Sequence, residues 1–221
     1  MINSKHAYLI IAHDNFYLLE ELIRLLDDKR NDLYIHIDAK VDNFNFDKYA
    51  NLVCESRIYF VDRINVQWGG YSQIKCELIL LEAATKLSYV YYHLISGVDL
   101  PLKSQDYIHN FFNKNLGYEF VHFDNIEYNL NNNYRVQYYH FLQEYLNRPK
   151  SKAVRKLLNI INKGQLYLQR IFNMNRLKKV NVQLQKGANW FSITDDLAKY
   201  IISQKNWIEN TFKYTYCCDE V

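Results

Sequence analysis

An alternation of apolar strands and amphipathic helices constrains the fold of this chain more than any other feature. Residues 7–12 and 33–37 are short, continuous apolar runs, the pattern of strands that are covered on both faces. Between them, leucine and isoleucine recur at helical spacing over residues 15–28. A strand, a helix and a strand in this order form a βαβ unit, so the pattern predicts a parallel sheet.

The same alternation continues along the chain. Further strands are predicted over 57–61, the first half of 89–102, 118–123 and the end of 186–194, and further helices over 72–87, 104–113, 154–172, 195–203 and 207–212. A chain of 221 residues is long enough to bury the core of one α/β domain. We therefore predict an α/β fold with a mostly parallel central sheet flanked by helices, in a single domain over residues 1–221.

Polar residues follow three of the predicted strands. His13 comes after the first strand, Asp38 after the second, and the Ser96–Asp99 segment after the strand that begins at residue 89. Ligands of open α/β sheets bind at the carboxyl ends of the strands, so these residues are candidate ligand contacts. Two alternatives stay open: Asp99 tightens a turn or caps the next helix, and His36 with Asp38 forms a polar surface turn.

A second candidate site is the turn at Trp68, Gly69 and Gly70, directly before the helix predicted to begin at Ser72. Glycines permit a close backbone approach, and the N–H groups at a helix start attract anions. The Walker lysine is absent, and no Gly-x-Gly-x-x-Gly follows the first strand, so a P-loop or a Rossmann dinucleotide site is not expected. An ordinary tight turn is the alternative.

The charge of the chain is unevenly distributed. Residues 145–194 contain eleven Lys or Arg and no Asp or Glu, although the net charge of the whole chain is only +3. Such a basic segment predicts an anionic partner: lipid headgroups, a phosphate-bearing substrate or nucleic acid. The helix predicted over 154–172 either lies on a membrane surface or packs its Leu/Ile face on the domain.

Tyrosine and cysteine usage gives weaker indications. The 20 tyrosines suit a sugar or nucleotide site, although a genome biased toward A and T would explain most of their excess. The four cysteines lack metal-like spacing and are expected to be reduced thiols. Together with the lack of a signal peptide or a membrane-spanning apolar run, this predicts a cytoplasmic protein, and a peripheral position at the inner face of the membrane stays open.

Six short motifs in a fixed order resemble a known family. They are residues 8–13, 34–40 (Tyr-Ile-His-Ile-Asp-Ala-Lys), 66–70 (Val-Gln-Trp-Gly-Gly), 94–102 (Leu-Ile-Ser-Gly-Val-Asp-Leu-Pro-Leu), 186–192 (Lys-Gly-Ala-Asn-Trp-Phe-Ser) and 218–220 (Cys-Asp-Glu). The chain thereby resembles the Core-2/I-branching β-1,6-N-acetylglucosaminyltransferase and peptide O-xylosyltransferase family, glycosyltransferase family 14, in a bacterial-type member. The resemblance covers most of the chain, with 124–185 matched weakly.

The resemblance implies a GT-A type fold, a UDP-sugar donor and transfer with inversion, without a divalent metal or another cofactor. The residues themselves also indicate that no divalent metal is bound. Hard cations need clustered oxygen ligands, and the Val-Asp-Leu segment offers Asp99 alone. N-acetylglucosamine is the sugar that the resemblance favours, while xylose or another hexose stays open. The implied acceptor is a hydroxyl of a glycan or a lipid-linked glycan, as in the synthesis of a surface polysaccharide.

The resemblance also implies roles for individual residues. Glu220 maps onto the general base, Asp38 onto the contact with the uridine end of the donor, and Asn189 onto the sugar or acceptor pocket. Trp68 and Trp190 are candidates for stacking on sugars, with a buried core position as the alternative for each. Arg135, in an aromatic segment, is a candidate acceptor contact. The remaining candidate donor contacts are His13, Gly69, Ser96 and Asp99.

One departure from the family pattern leads to a further expectation. Family members continue past the Asp-Glu motif through a basic segment that binds the diphosphate, whereas this chain ends one residue after Glu220. We expect either that the C-terminal part of the family domain is missing or that cations of residues 145–194 replace it. The basic segment 124–185 would then face the acceptor or a membrane.

A different class of function stays open from sequence alone. The chain can be a non-catalytic module that binds nucleotide sugars or glycans, or nucleic acid through its basic segment. Nucleic acid is the less favoured partner. Binding to it predicts a steep dependence on salt and no preference for uridine nucleotides.

Overall fold

The computed structural model describes residues 5–125, 134–146, 148–149, 151–179 and 185–217. The strands are β1 (His6–Ala12), β2 (Asn31–Ile37), β3 (Arg57–Phe60), β4 (Tyr91–Ser96), β5 (Phe120–Val121) and β6 (Phe191–Thr194). The helices are α1 (Phe16–Leu26), α2 (Phe46–Ala50), α3 (Ser72–Ala84), α4 (Gln105–Lys114), α5 (Tyr134–Gln137), α6 (Lys152–Ile171), a short 3-10 helix (Arg176–Lys179), α7 (Asp195–Ser203) and α8 (Lys205–Phe212). No helix in the described ranges combines the length and apolarity needed to cross a bilayer.

The described strands form one mixed sheet in the order β3-β2-β1-β4-β6-β5. The pairs β1–β2, β2–β3 and β1–β4 are parallel, and β6 runs antiparallel to both β4 and β5. The predicted α/β class and the mostly parallel sheet flanked by helices are therefore confirmed. The strand predicted over 118–123 is only two residues long, because it pairs with β6 solely through Phe191 and Ser192.

Two compact units make up the chain. Unit 1 comprises Met1–Asn65, Cys76–Val121 and Trp190–Ser203, and contains the sheet. Unit 2 comprises Val66–Lys75, His122–Asn189 and Gln204–Val221. The single domain expected from the sequence stays a prediction.

The core of unit 1 forms because α1 places its apolar residues on the sheet. Leu19, Leu22, Ile23 and Leu26 follow the i, i+3, i+4, i+7 pattern and are at most 1% exposed. They belong to one apolar cluster with the alternating inward residues of β1 and β2, among them Tyr8, Ile10, Leu33 and Ile35. Each fully buried Leu or Ile side chain of this kind stabilises a fold by about 1.5–3 kcal/mol.

Tyr34, Tyr89 and Tyr92 are buried in unit 1 and keep their hydroxyl groups in hydrogen bonds. The Tyr89 hydroxyl donates to Asp32 Oδ2 at 2.8 Å and lies 3.0 Å from the Tyr34 hydroxyl. The Tyr92 hydroxyl donates to Asp195 Oδ1 at 2.7 Å. Burial raises the pKa of the Tyr89 hydroxyl well above its usual range, so the group is protonated in the fold. These tyrosines are part of the core rather than of a ligand site.

Polar contacts attach α6 and the 3-10 helix to the rest of unit 2. The Gln169 side chain of α6 accepts from the Tyr139 N–H at 2.8 Å and donates to the Tyr139 carbonyl at 2.9 Å. The guanidinium of Arg176 lies 4.4 Å from the centre of the Tyr139 ring and donates to the carbonyl of Thr211 at 2.7 Å and that of Tyr214 at 3.3 Å. α6 is thus attached through its amide groups, and Arg176 fixes the segment that leads toward the C-terminus.

Three histidines form a buried cluster in unit 1. His93 Nε2 lies 3.0 Å from His6 Nδ1, and the rings of His6 and His109 are 4.1 Å apart. His93 Nδ1 bonds to the Ser192 hydroxyl at 2.8 Å, and His109 Nε2 bonds to Asn31 Oδ1 at 2.9 Å. Burial lowers the pKa of His6 to about 2 and that of His93 to about 3, and it also lowers the pKa of His109. All three are therefore neutral in the fold at neutral pH.

The histidine cluster predicts that mild acid destabilises the protein. Below pH of about 6.5 the unfolded chain takes up protons that buried His6 and His93 do not accept, so the free energy of unfolding falls. The expected loss is about 1.4 kcal/mol per pH unit for each of these histidines, until the pH reaches the folded pKa. Urea unfolding followed by circular dichroism at pH 7, 6 and 5 measures this slope.

A matched pair of variants tests whether the buried histidines cause this pH dependence. His93→Gln should reduce the dependence of the unfolding free energy on pH by about 1.4 kcal/mol per pH unit, the contribution of one proton. His122→Gln, at a side chain that is 60% exposed, should leave it unchanged. Equal slopes in the wild type and in His93→Gln would contradict a role for the cluster in the pH dependence.

Candidate functional site

The carboxyl ends of three parallel strands meet at one edge of the sheet in unit 1. β1 lies between β2 and β4, with Ala12 opposite Ile37 and Ile11 opposite Ser96. His13, Asp38 and Gly97 directly follow these ends, and the side chain of His13 is exposed. Since neighbouring strands are about 4.8 Å apart, two spacings place the ends of β2 and β4 about 10 Å from each other. The chain order reverses between β1 and β4, which is where open α/β sheets bind ligands.

Trp190 lies at the same edge. β6 runs antiparallel to β4 with Phe191 opposite Leu94, so Trp190 comes next to the carboxyl end of β4. Its side chain is 41% exposed, and that of Trp68 is 67% exposed. The alternative of a buried core position is therefore wrong for both tryptophans.

Asp38 is a buried carboxylate with a fixed position. The residue is 2% exposed, and its N–H extends the sheet by donating to the Ala12 carbonyl at 2.9 Å. Oδ1 accepts from the Lys40 N–H at 2.8 Å, and Oδ2 lies 3.4 Å from Lys40 Nζ. These contacts fix the orientation of the carboxylate at the end of β2.

The backbone around Asp38 is held by two side chains that the sequence did not single out for this role. Arg63 donates to the carbonyl of Ile37 at 3.0 Å and to that of Asp38 at 2.8 Å. His36 Nε2 accepts from the N–H of Ile64 at 3.0 Å, and burial lowers the pKa of His36 to about 4. His36 is 0% exposed, so the alternative of a polar surface turn at His36 and Asp38 is wrong.

The segment after β4 forms a tight turn. Asp99 Oδ2 accepts from the Ser96 N–H at 2.8 Å, and the Ser96 hydroxyl accepts from the Val98 N–H at 3.3 Å. The Gly97 N–H donates to the Ile11 carbonyl at 2.8 Å, and a Cβ at Gly97 would come within 2.7 Å of the Ala12 Cβ. Asp99 therefore tightens the turn, as one alternative expected. Contacts of Ser96 and Asp99 with a donor stay predictions.

In unit 2, the Trp-Gly-Gly turn holds the segment before the C-terminus. Gly69 has φ +74°, and a Cβ there would lie 3.0 Å from Gln143 Nε2 and 3.2 Å from Cys217 Sγ. The Gly69 carbonyl accepts from the Cys217 N–H at 2.9 Å. A side chain at Gly69 would thus separate the turn from residues that precede Glu220. Glu220 itself lies outside the described residues.

A carboxylate of the protein binds the start of α3. Glu144 Oε1 accepts from the Ser72 N–H at 2.7 Å, and Oε2 accepts from the Ser72 hydroxyl at 3.0 Å. A Cβ at Gly70 would come within 2.5 Å of Glu144 Oε1, so glycine makes room for this contact. The expectation that the helix start attracts an external anion is corrected, because Glu144 already supplies the negative charge.

Unit 2 contains a cavity of about 430 Å³, a volume within the range of small-molecule sites. It is lined by aromatic rings and side-chain amides, with Arg170 as the only cation and no acidic residue among the described lining residues. The lining residues are Trp68, Tyr134, Tyr138, His140, Gln143, Leu146, Asn159, Asn162, Leu166, Arg170 and Tyr216. Rings that stack and amides that bond to hydroxyl groups suit a sugar.

The aromatic residues of the cavity contact one another. The rings of Trp68 and Tyr216 meet edge to face with centroids 6.5 Å apart, and His140 lies 5.8 Å from Tyr216. The Arg135 guanidinium is 5.9 Å from the centre of the Tyr216 ring, and Arg135 is not among the residues that line the cavity. His140 Nε2 is buried without a hydrogen-bond partner in the described part of the chain, and burial lowers the pKa of His140.

The predicted site residues thus fall into two groups. One group lies at one sheet edge of unit 1 and comprises His13, Asp38, Ser96, Asp99 and Trp190. The other group, Trp68, Gly69 and Arg135, belongs to unit 2, where Trp68 lines the cavity. Asn189 belongs to unit 2 and directly precedes Trp190. Sequence reasoning missed the supporting and lining residues, which have no motif spacing; the clearest cases are Arg63, Tyr138, Gln143 and Glu144.

No group of three or more His, Cys, Asp or Glu side chains among the described residues is arranged to hold a metal ion. The Asp99 carboxylate, the one acidic group of the Val-Asp-Leu segment, is engaged with the Ser96 N–H. Independence from a divalent metal stays a prediction.

Comparison with known proteins identifies one family. The family model described as Core-2/I-branching enzyme matches residues 6–221, from the first residue of β1 through the Asp-Glu motif. Among the curated proteins, none matches the chain significantly. The order of the sheet is consistent with the GT-A type fold that the resemblance implied.

Proposed function

The chain belongs to the Core-2/I-branching enzyme family, a family of glycosyltransferases, and from this we propose that it transfers N-acetylglucosamine from a UDP-sugar to a hydroxyl group of a glycan or lipid-linked acceptor. We further propose that the reaction inverts the configuration at the anomeric carbon and does not require a divalent metal. Glu220 acts as the general base.

The observation that carries the proposal is the arrangement at the carboxyl edge of β2, β1 and β4. His13 and Asp38 directly follow β1 and β2, and Ser96 is the last residue of the neighbouring parallel strand β4, at the point where the chain order reverses. Asp38 is buried and oriented by Lys40 and Arg63, so its carboxylate is already positioned before a ligand arrives. Such an acceptor matches the N–H of a uracil ring or the hydroxyl groups of a ribose.

The reaction requires the acceptor oxygen to lose a proton as it attacks. The Glu220 carboxylate takes this proton while the oxygen forms a bond to the anomeric carbon of the donor sugar. The bond between that carbon and the diphosphate oxygen breaks, and UDP leaves from the opposite face. A positioned general base contributes about 10²–10⁴ in rate to such a step.

Two facts support Glu220 as this base. The family match continues over the Asp-Glu motif. Cys217, three residues earlier, is bonded through its N–H to Gly69, and Tyr216 lines the cavity of unit 2. Three residues of chain span at most about 11 Å, so the tether to the cavity wall is short.

The cavity of unit 2 is the proposed site of the acceptor sugar. Trp68 offers an exposed indole face, while Gln143, Asn159 and Asn162 supply amide donors and acceptors. Only one cation lines the described wall, so the lining suits a neutral sugar ring better than a diphosphate. Trp68, predicted from sequence as a donor contact, is here assigned to the acceptor.

The first prediction concerns donor binding. Calorimetric titration of UDP-N-acetylglucosamine in excess EDTA should show binding by the wild type, with Kd weakened roughly tenfold to a hundredfold in Asp38→Asn. The amide retains an acceptor for the Lys40 N–H, so the fold is preserved. Asp42→Asn, the same change at an exposed position nearby, is the control and should bind like the wild type. Binding restored only by Mg²⁺ would contradict metal independence.

The second prediction concerns the base. Glu220→Gln should lower the rate of sugar transfer from labelled UDP-N-acetylglucosamine by about 10²–10⁴ and change the donor Kd by less than about twofold. Glu209→Gln, at an exposed carboxylate paired with Lys213, is the matched control. If Glu220→Gln keeps most of its activity, another group is the base; if the wild type binds donor but transfers to no glycan, the chain is a binding module.

The third prediction concerns the cavity. Trp68→Ala should raise the KM for a glycoside acceptor about tenfold, because a stacking face is lost, and should leave the donor Kd unchanged. Trp207→Ala removes a 43% exposed indole of unit 2 that is not part of the cavity lining, and should change neither value. A weaker donor Kd with an unchanged acceptor KM would assign Trp68 to the donor, as the sequence first predicted.

A further inference from the structure

Helix α6 presents its apolar side to solvent. Aliphatic and aromatic side chains recur at helical spacing along one side and are between 47% and 73% exposed. We call this set the apolar stripe; its members are Val154, Leu157, Ile160, Ile161, Leu168, Ile171 and Phe172. Gly164 lies within it, and a Cβ there would meet no atom within 4 Å. The alternative that this helix packs its Leu/Ile face on the domain is therefore wrong.

The side that α6 turns inward combines side-chain amides with two half-buried leucines, Leu158 and Leu166. Gln169 is its one buried residue, and it bonds to both backbone groups of Tyr139. Gln165, one turn earlier, also donates to the Tyr139 carbonyl at 3.2 Å. A helix of a globular protein ordinarily buries its apolar side. Here the amides hold the helix in place, so the apolar stripe is not needed for packing within the described structure.

Cations run along one edge of the apolar stripe. Lys152, Lys156, Lys163 and Arg170 follow one another at intervals of four or seven residues, so they lie on one side of the helix. No acidic residue occurs in α6 or anywhere in residues 145–194. A recess of about 350 Å³ on this edge is lined by Lys152, Arg155, Lys156, Asn159, Ile160 and Lys163. The helix thus combines an apolar surface with a row of positive charge.

These features fit one kind of partner. An exposed apolar surface of this length marks a binding surface. A second copy of the chain would bring two rows of cations together, which is unfavourable. Nucleic acid would use the cations but not an aliphatic stripe. An anionic membrane offers acyl chains to the apolar stripe and phosphate groups to the cations.

We propose that α6 binds the surface of an anionic lipid membrane and lies in the plane of that surface. The apolar stripe inserts among the upper acyl chains, and the row of cations contacts the headgroup phosphates. The recess beside Lys156 and Lys163 accommodates a headgroup. This inference rests on α6 alone and holds whether or not the chain transfers a sugar.

The test is flotation of the whole protein with lipid vesicles. The wild type should float with vesicles of equal parts phosphatidylglycerol and phosphatidylcholine, but not with phosphatidylcholine alone. The variant Leu157→Glu/Leu168→Glu should bind more than about a hundredfold more weakly, because two inserted leucines become charged. The control Leu87→Glu/Leu116→Glu makes the same changes at leucines of unit 1 that are 44% and 64% exposed, and should bind like the wild type.

The charges are tested separately. Lys156→Gln/Lys163→Gln should weaken binding to the anionic vesicles by about fivefold for each charge, and added salt should weaken binding of the wild type. Lys86→Gln/Lys114→Gln, at exposed lysines of unit 1, is the matched control and should not change binding. All four substituted lysines are on the surface, and circular dichroism verifies that the fold is retained.

A second readout keeps the proposal falsifiable. Phe172→Trp places an indole at the most exposed position of the apolar stripe, and its added emission should shift to the blue when anionic vesicles are present. Failure of the wild type to float, or equal flotation of Leu157→Glu/Leu168→Glu, would overturn the proposal. So would a wild-type dimer that this variant makes monomeric without any vesicle binding, or a salt-sensitive preference for duplex DNA over vesicles.

Discussion

The position of β1 between β2 and β4 is the constraint on which the candidate donor site depends. Parallel pairing on both sides fixes where all three strands end, so residues far apart in the chain come to one edge. The close approach of Gly97 to Ala12 is part of this pairing, since any side chain at residue 97 would push the end of β4 away from β1. The register of the sheet sets the positions of His13, Asp38 and the Ser96–Asp99 turn. Arg63 then holds the backbone at Asp38 by donating to the carbonyls of Ile37 and Asp38.

Local pattern and long-range contact explain what the sequence predicted and what it did not. The strands and α1 were predicted because periodicity is a local property, and Asp38 could be placed at the end of a strand for the same reason. Its contact with a donor stays a prediction. Glu144 at the start of α3 could not be found, since it bonds to a residue 72 positions earlier and follows no motif. The histidine cluster joins β1, β4 and α4 in the same way. The amphipathic period of α6 was predicted correctly, but the period alone does not say which side of a helix is buried.

Unit 2 shows how polar contacts can help to position a helix whose main apolar side is exposed. Gln169 satisfies both backbone groups of Tyr139, and Arg176 satisfies carbonyls of Thr211 and Tyr214. Hydrogen bonds add only about 0.5–1.5 kcal/mol each, whereas a buried donor or acceptor that loses its partner costs about 1–3 kcal/mol. Such contacts therefore specify one arrangement more than they add stability. The consequence is that α6 keeps its apolar side available, while the amides of the same helix still shape the cavity.

The two proposals for unit 2, an acceptor site in the cavity and a membrane-binding helix, both depend on side chains of α6. At 100° per residue, the side chains that line the cavity, Asn159, Asn162, Leu166 and Arg170, lie on the side of the helix opposite the apolar stripe. The row of cations lies between the two, and Asn159 lines both the cavity and the cationic recess. With α6 on a membrane, the order outward from the bilayer is acyl chains, phosphate-binding cations and sugar cavity, over about 10 Å of helix diameter. A lipid-linked glycan has the same order of parts, a lipid, a phosphate and a sugar. This correspondence favours a lipid-linked acceptor over a free glycan, because one rigid helix would then match all three parts at once.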